Sequence, residues 1–134
     1  MRLHAFAVCA LTFSAAPQGS FLRPEIHAGE EPRDIVLADF DVDGLLDIAI
    51  ADLDLREVRV FLGEGQGRFA PPSANQVFGV PVSLAAGDLN ADGVPDLVVA
   101  HEDTVGTYST LLADGRGGFS AAINRTVGAR HRSV

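Results

Sequence analysis

The chain repeats itself, and that constrains its fold more than any other property. DIVLADFDVDGLLDIAIAD, from Asp34, aligns with SLAAGDLNADGVPDLVVAH, from Ser83, at a constant offset of 49 residues through Asp52. Further on the offset slips by one, and GEGQGRFAPP from Gly63 matches ADGRGGFSAA from Ala113. Self-similarity at a period of this size marks an array of one supersecondary unit, in which each copy buries its apolar face against the next. Each copy reads as an acidic loop, two short apolar runs, a glycine-rich turn and a phenylalanine.

The runs have the character of strands. DIAIAD alternates Ile48 and Ile50 with smaller neighbours, EVRVFL alternates Val58 and Val60, and DLVVA is rich in β-branched residues. GEGQGRF and DGRGGF supply residues tolerant of positive φ, as hairpin connections require. With 14 glycines and 7 prolines in 134 residues, nearly every window is interrupted before a helix could complete three turns. The expectation is an all-β chain of β-propeller blades, about four strands per period. Two full units, 34–82 and 83–128, follow a partial unit at 19–33, where GSFLRPEIHAGEEPRDI resembles the tail end of a unit; residues 129–134 match nothing upstream.

The acidic loops carry the chemistry. DFDVDGLLD spans Asp39–Asp47, and DLNADGVPD spans Asp88–Asp96. Carboxylates crowded this closely repel one another unless something neutralises them. Oxygens at alternate positions of a tight loop converge on one point and form the cage that a hard cation needs. In the first loop the expected ligands are Asp39, Asp41, Asp43 and Asp47, with the carbonyl of Leu45. In the second they are Asp88, Asn90, Asp92 and Asp96, with the carbonyl of Val94. Oxygen ligands without His or Cys favour Ca²⁺ over softer metals. An EF-hand begins in the same way, but it places a glutamate at position 12 between flanking helices. Here Ile50 and Val99 occupy that position, and the flanks read as strands.

DFDVDGLLDIAIA and DLNADGVPDLVVA, followed by GEGQGRF and DGRGGF, resemble the FG-GAP/VCBS repeats that build integrin-α-like β-propellers. The resemblance runs from about Gly19 to Gly128. It implies blades whose acidic loop joins two strands and binds Ca²⁺ at the positions named above. A closed propeller of that kind takes about seven units, so two and a half imply a piece of a longer array, completion by self-association, or a short stack of marginal stability.

The first residues, MRLHAFAVCALTFSAAPQ, have an Arg near the start, an apolar run and small residues after it. That is the layout of a signal peptide over residues 1–16, too short to span a bilayer. The expected location is secreted, periplasmic or extracellular. Cys9 falls inside this run, so the mature chain would have no cysteine and would depend on packing and bound ions. Ten basic residues, all Arg, against eighteen acidic ones give a net charge of −8, which argues against a nucleic-acid partner.

No catalytic constellation emerges. Asp52 and Asp54, like Glu102 and Asp103, follow the loop strand and read as polar turns rather than as a glycosidase pair. His27, His101 and His131 share no metal spacing, and GEGQG leads into Phe69 and two prolines, not into the helix that a phosphate loop needs. Asn124-Arg125-Thr126 is a glycosylation sequon by its letters. The expected role is non-enzymatic: a secreted Ca²⁺-binding repeat protein for adhesion, for protein or carbohydrate recognition, or as a scaffold. The alternative is the propeller portion of an extracellular carbohydrate-active enzyme.

Overall fold

The computed structural model describes residues 25–127. The expected signal peptide with Cys9, the start of the partial unit and the tail beyond Val127 lie outside the described residues.

Within them the chain forms ten strands and no helix. β1 (Pro32–Ala38), β2 (Asp47–Asp52), β3 (Glu57–Phe61) and β6 (Ser73–Gln76) form one antiparallel sheet in the order β1-β2-β3-β6. β7 (Pro81–Gly87), β8 (Asp96–His101), β9 (Thr107–Leu111) and β10 (Ile123–Thr126) form a second in the equivalent order. Between β3 and β6, β4 (Gly63–Gly65) and β5 (Arg68–Phe69) make a small ribbon, reduced in unit two to a single bridge between Ala113 and Phe119. The all-β expectation of two four-stranded blades is therefore met, and the acidic loops join β1 to β2 and β7 to β8.

The slip in repeat offset has a local origin. Four residues, Leu53–Arg56, connect β2 to β3, whereas five, Glu102–Gly106, connect β8 to β9. Each connection ends on a left-handed residue, Arg56 at φ 52° and Gly106 at φ 68°. After the extra residue the pairing resumes unchanged: Ile48 faces Phe61 as Leu97 faces Leu111.

The side chains of β2 alternate between two covered faces, so every residue of that strand is buried. Ile48, Ile50 and Phe61 pack with Ile26, Ala28 and Phe69 on one side. On the other, Ala49, Ala51, Val58 and Val60 share a cluster with Leu84, Leu97, Val99 and Leu111 of unit two. The alanines are small because another sheet lies against them, a reason that alternation alone does not reveal. Phe40, from the first acidic loop, meets Phe119 edge-on across the two units, with ring centroids 5.4 Å apart. Asp34 on β1 ties the blades together by accepting from the Ser83 hydroxyl at 2.9 Å and the Leu84 amide at 2.7 Å.

Candidate metal-binding loops

The loop between β1 and β2 is shaped by its own aspartates. Asp39 accepts from the backbone N–H of Asp43 through Oδ1 at 3.1 Å and from that of Gly44 through Oδ2 at 2.9 Å. Asp41 accepts a longer bond from Asp43 N–H at 3.3 Å, and Asp43 accepts from Leu45 N–H at 2.8 Å. These side-chain-to-backbone bonds are what short polar residues offer a turn in place of a ladder. Turning so tightly requires left-handed backbone at two positions, Val42 at φ 59° and Gly44 at φ 88°. Gly44 has open space where a Cβ would stand, so backbone conformation rather than crowding selects glycine there.

The second loop repeats this bond for bond. Asp88 accepts from Asp92 N–H at 3.2 Å and from Gly93 N–H at 2.8 Å. Asn90 and Asp92 accept from Asp92 and Val94 N–H at 3.2 and 2.9 Å. Ala91 and Gly93 take the left-handed positions at φ 60° and 83°.

The structure draws Asp39, Asp41 and Asp43 together, with one carboxylate oxygen of each lying within 4.8 Å of the others. All three are at least partly exposed. A compact trio of hard anionic oxygens fits a hard cation and offers nothing to a soft one. In the second loop Asn90 takes the place of Asp41, leaving two carboxylates and an amide oxygen in the equivalent turn.

Asp47 and Asp96, expected as the last ligand of each loop, are placed differently from the trio. Both are fully buried. Asp47 accepts from Phe40 N–H at 2.7 Å with one oxygen and from Gly63 N–H at 2.8 Å with the other. Asp96 accepts from Leu89 and Ala113 N–H, both at 2.8 Å. Each thus clamps the start of its loop to the glycine-rich ribbon that follows the next strand. Leu45 and Val94, expected for their carbonyls, enter the network through amides that donate to Asp43 and Asp92.

Electrostatics distinguish individual carboxylates. Partial burial, followed by the charges of Asp47 and Asp43, raises the pKa of Asp41 above the ordinary carboxylate value. Asp88 is lowered, chiefly by the Gly93 N–H. Thus in the first loop one carboxylate is held against its neighbours' charge, a situation that a bound cation relieves.

Residues 39–99 match the family model described as FG-GAP-like repeat. This stretch is FG-GAP-like repeat sequence. It covers the first acidic loop, the whole of blade one beyond β1, then β7, the second loop and β8 as far as Val99. No curated protein and no solved structure matches the chain. The β-propeller-like blades seen here are what FG-GAP-like repeats imply. Among the described residues no helix is long and apolar enough to cross a membrane.

Two features lay outside the sequence reading. The first is Asp34, whose role in holding the blades together is legible only once β1 and β7 lie side by side. The second is a polar cluster at His101, which shared no metal spacing with the other histidines. It does have a signal in the repeat: His101 occupies the register position of Asp52, and Asp52 is itself fully buried, accepting from Glu30 and Leu55 N–H at 2.7 and 3.0 Å. A cleft of about 350 Å³ runs between β6 and the Phe119 hairpin, beside the exposed Phe78. The side-chain amides of Asn75 and Gln76 on its wall already donate to Val58 O and Glu57.

Proposed function

We propose that this is an exported β-propeller repeat protein, braced by Ca²⁺ in its two acidic loops, whose role is binding or scaffolding rather than catalysis. The observation that carries the reading is the convergence of Asp39, Asp41 and Asp43 in a turn that the second loop reproduces bond for bond. The ion would be held by these side chains and by Asp88, Asn90 and Asp92, and its charge would offset their mutual repulsion. Asp47 and Asp96 would add an oxygen only while keeping their two amide bonds, which carboxylate lone pairs permit.

The carboxylates outside the loops favour a non-enzymatic role. Asp103 is lowered by the Thr107 hydroxyl and then by backbone amides, and Asp114 by the amides of Arg116 and Gly118. A general acid needs the reverse, a pKa raised toward neutrality. Partners of protein or carbohydrate character, not nucleic acid, suit the acidic surface.

The face of unit two supports association with a further repeat unit. In unit one Phe40 and the alanines of β2 are fully buried beneath unit two; the matching Leu89 is 49% exposed, and Val98, Ala100, Tyr108 and Thr110 are only half-buried.

Thermal unfolding with and without Ca²⁺ tests the central claim. An ion at a hundredfold its dissociation constant, bound only by the native state, adds about 2.7 kcal/mol, which raises the melting temperature on the order of 10 °C for a domain of this size. A chelator should remove that shift, and Asp43→Ala combined with Asp92→Ala should abolish the response. A response left intact in the double variant would sink the ligand assignment.

A further inference from the structure

Unit two contains a side-chain relay that unit one lacks. At the end of β8, His101 is buried; its Nε2 lies 3.1 Å from Ser109 Oγ, and its Nδ1 lies 3.1 Å from Thr107 Oγ1. Thr107 Oγ1 donates to Asp103 Oδ2, and the Asp103 carboxylate also accepts from the N–H of Val105 and of Thr107. The matching positions in unit one hold Asp52, Glu57 and Arg59. There Asp52 bonds to backbone amides, while Glu57 pairs with Arg59 at 2.8 Å.

The protons of the relay can be placed by elimination. Asp103, ionised, only accepts, so the single hydroxyl proton of Thr107 goes to it. Thr107 must then accept from Nδ1–H. In a neutral ring that leaves Nε2 as an acceptor, and the Ser109 hydroxyl donates to it. Every group is satisfied by one assignment. A second proton on the ring goes to Nε2 and turns Ser109 from donor to acceptor. Ser109 is fully buried, and His101 is its only side-chain hydrogen-bond partner among the described residues, so the displaced hydroxyl proton loses its partner. The order Ser–His–Thr–Asp resembles a nucleophile relay, but a serine with no exposed surface meets no substrate.

We propose that this relay is an acid-sensitive latch: protonation of His101 reverses its bond to Ser109, strands the buried hydroxyl proton of Ser109 and so loosens the Glu102–Gly106 turn and β9, while unit one, built around Asp52, stays closed. The charged groups around the ring are few. Glu102 and Asp103 lie in the adjoining turn, Tyr108 is on β9, and Arg125 on β10 stands opposite Tyr108. The segment from Gly79 to Pro81, which passes against the ring and the end of β8, has no ionisable side chain. Burial is the larger influence and depresses the pKa of His101; the charge of Asp103 opposes it. The unfolded chain therefore takes up this proton at higher pH than the folded one. The latch contributes fully above about pH 6.5, the unfolded histidine value, and its contribution fades as pH falls through the lower folded value.

The test is an NMR titration of the His101 ring in the full chain at fixed free Ca²⁺, with amide hydrogen exchange of both units corrected for intrinsic rates. The ring should titrate below about pH 6.5. Ser109→Ala, which leaves no buried hydroxyl proton to strand, should weaken the acceleration of β9 exchange in acid. Asp103→Asn, which removes the favourable charge, should move the ring's midpoint down. As pH falls from about 7.5 through the His101 midpoint, exchange in β9 should accelerate, with Glu57–Phe61 little affected. A midpoint at or above that of free histidine, an upward shift in Asp103→Asn, undiminished acid acceleration in Ser109→Ala, or equal acceleration in the two units would overturn the latch.

Discussion

Replacing Asp47 with alanine separates a clamp from a calcium ligand. The carboxylate is fully buried, and each oxygen accepts one backbone N–H, from Phe40 at 2.7 Å and from Gly63 at 2.8 Å. Alanine leaves both donors buried without partners. A buried donor left unsatisfied costs about 1–3 kcal/mol, toward the upper end where the lost acceptor is charged. Two such donors give about 3–5 kcal/mol, a large share of the ~5–15 kcal/mol that holds a domain together. The assay is urea unfolding followed by far-UV circular dichroism, run once in excess chelator and once in saturating Ca²⁺. Asp43→Ala serves as the control, because Asp43 is exposed and accepts one bond, from Leu45 N–H. In chelator Asp47→Ala should lower the midpoint steeply at unchanged slope, whereas Asp43→Ala should cost under about 1 kcal/mol. The reasoning fails if Asp47→Ala costs less than about 1 kcal/mol in chelator and the deficit appears only with Ca²⁺. Asp47 would then be a ligand whose amide bonds contribute little.

Asp34→Ala removes the two bonds that reach from blade one to Ser83 and Leu84, and urea titration should record a loss of about 1–2 kcal/mol. Burial tends to raise the pKa of Asp34, but the bonds from Leu84, Ser83 and Ile35 outweigh it and leave the pKa lowered. Its stabilisation is therefore present above about pH 3.9, the unfolded value, and is lost as pH falls through the lower folded value; the variant should show a correspondingly flatter acid limb. Val42→Gly should raise the melting temperature by a few degrees. A β-branched residue at φ 59° carries about 1–2 kcal/mol of strain, its side chain is 59% exposed and packs little, and glycine gives back only part of the gain as chain entropy. An unchanged or lower melting temperature would mean that Val42 makes contacts worth more than its strain.

The repeat offset alone located both blades, because strands β2 and β8 recur with their loops attached and the period leaves room for little else. The two-sided burial of β2 was harder to read. Alternation of Ile48 and Ile50 with Ala49 and Ala51 looks like a strand with one covered face, yet all four are buried. Small residues mark a close neighbour as well as a weak one, and only the second sheet decides between them. Within the acidic loops, residue type and spacing grouped Asp39, Asp41 and Asp43 with Asp47 as expected ligands, and the structure draws the first three together. Spacing did not distinguish them from Asp47, since the difference lies in the amides of Phe40 and Gly63, and Gly63 is sixteen residues away in sequence. His101 was illegible for a similar reason. Its partners Thr107 and Ser109 reach it only across the β8–β9 pairing, and neither carries a motif.

The hydrogen bonds within the acidic loops also bear on what an ion would add. A turn held only by a cation would lose its shape on removal of the cation, but here Asp39, Asp43 and their counterparts already bind amides of their own loop, and Asp47 and Asp96 pin its base. Shape is thus provided by the chain, and what remains uncompensated is charge. The two loops differ in that respect: four carboxylates lie between Asp39 and Asp47, three between Asp88 and Asp96, because Asn90 stands where the first loop has Asp41. Asp41 is also the carboxylate whose pKa is raised by burial and by the charges of Asp47 and Asp43. Repulsion stored in a preshaped loop is released when a cation enters, so the first loop has more to gain from Ca²⁺ than the second. On the proposed readings, blade one would therefore be the unit that responds more to the metal, and blade two, with His101, the unit that responds to pH.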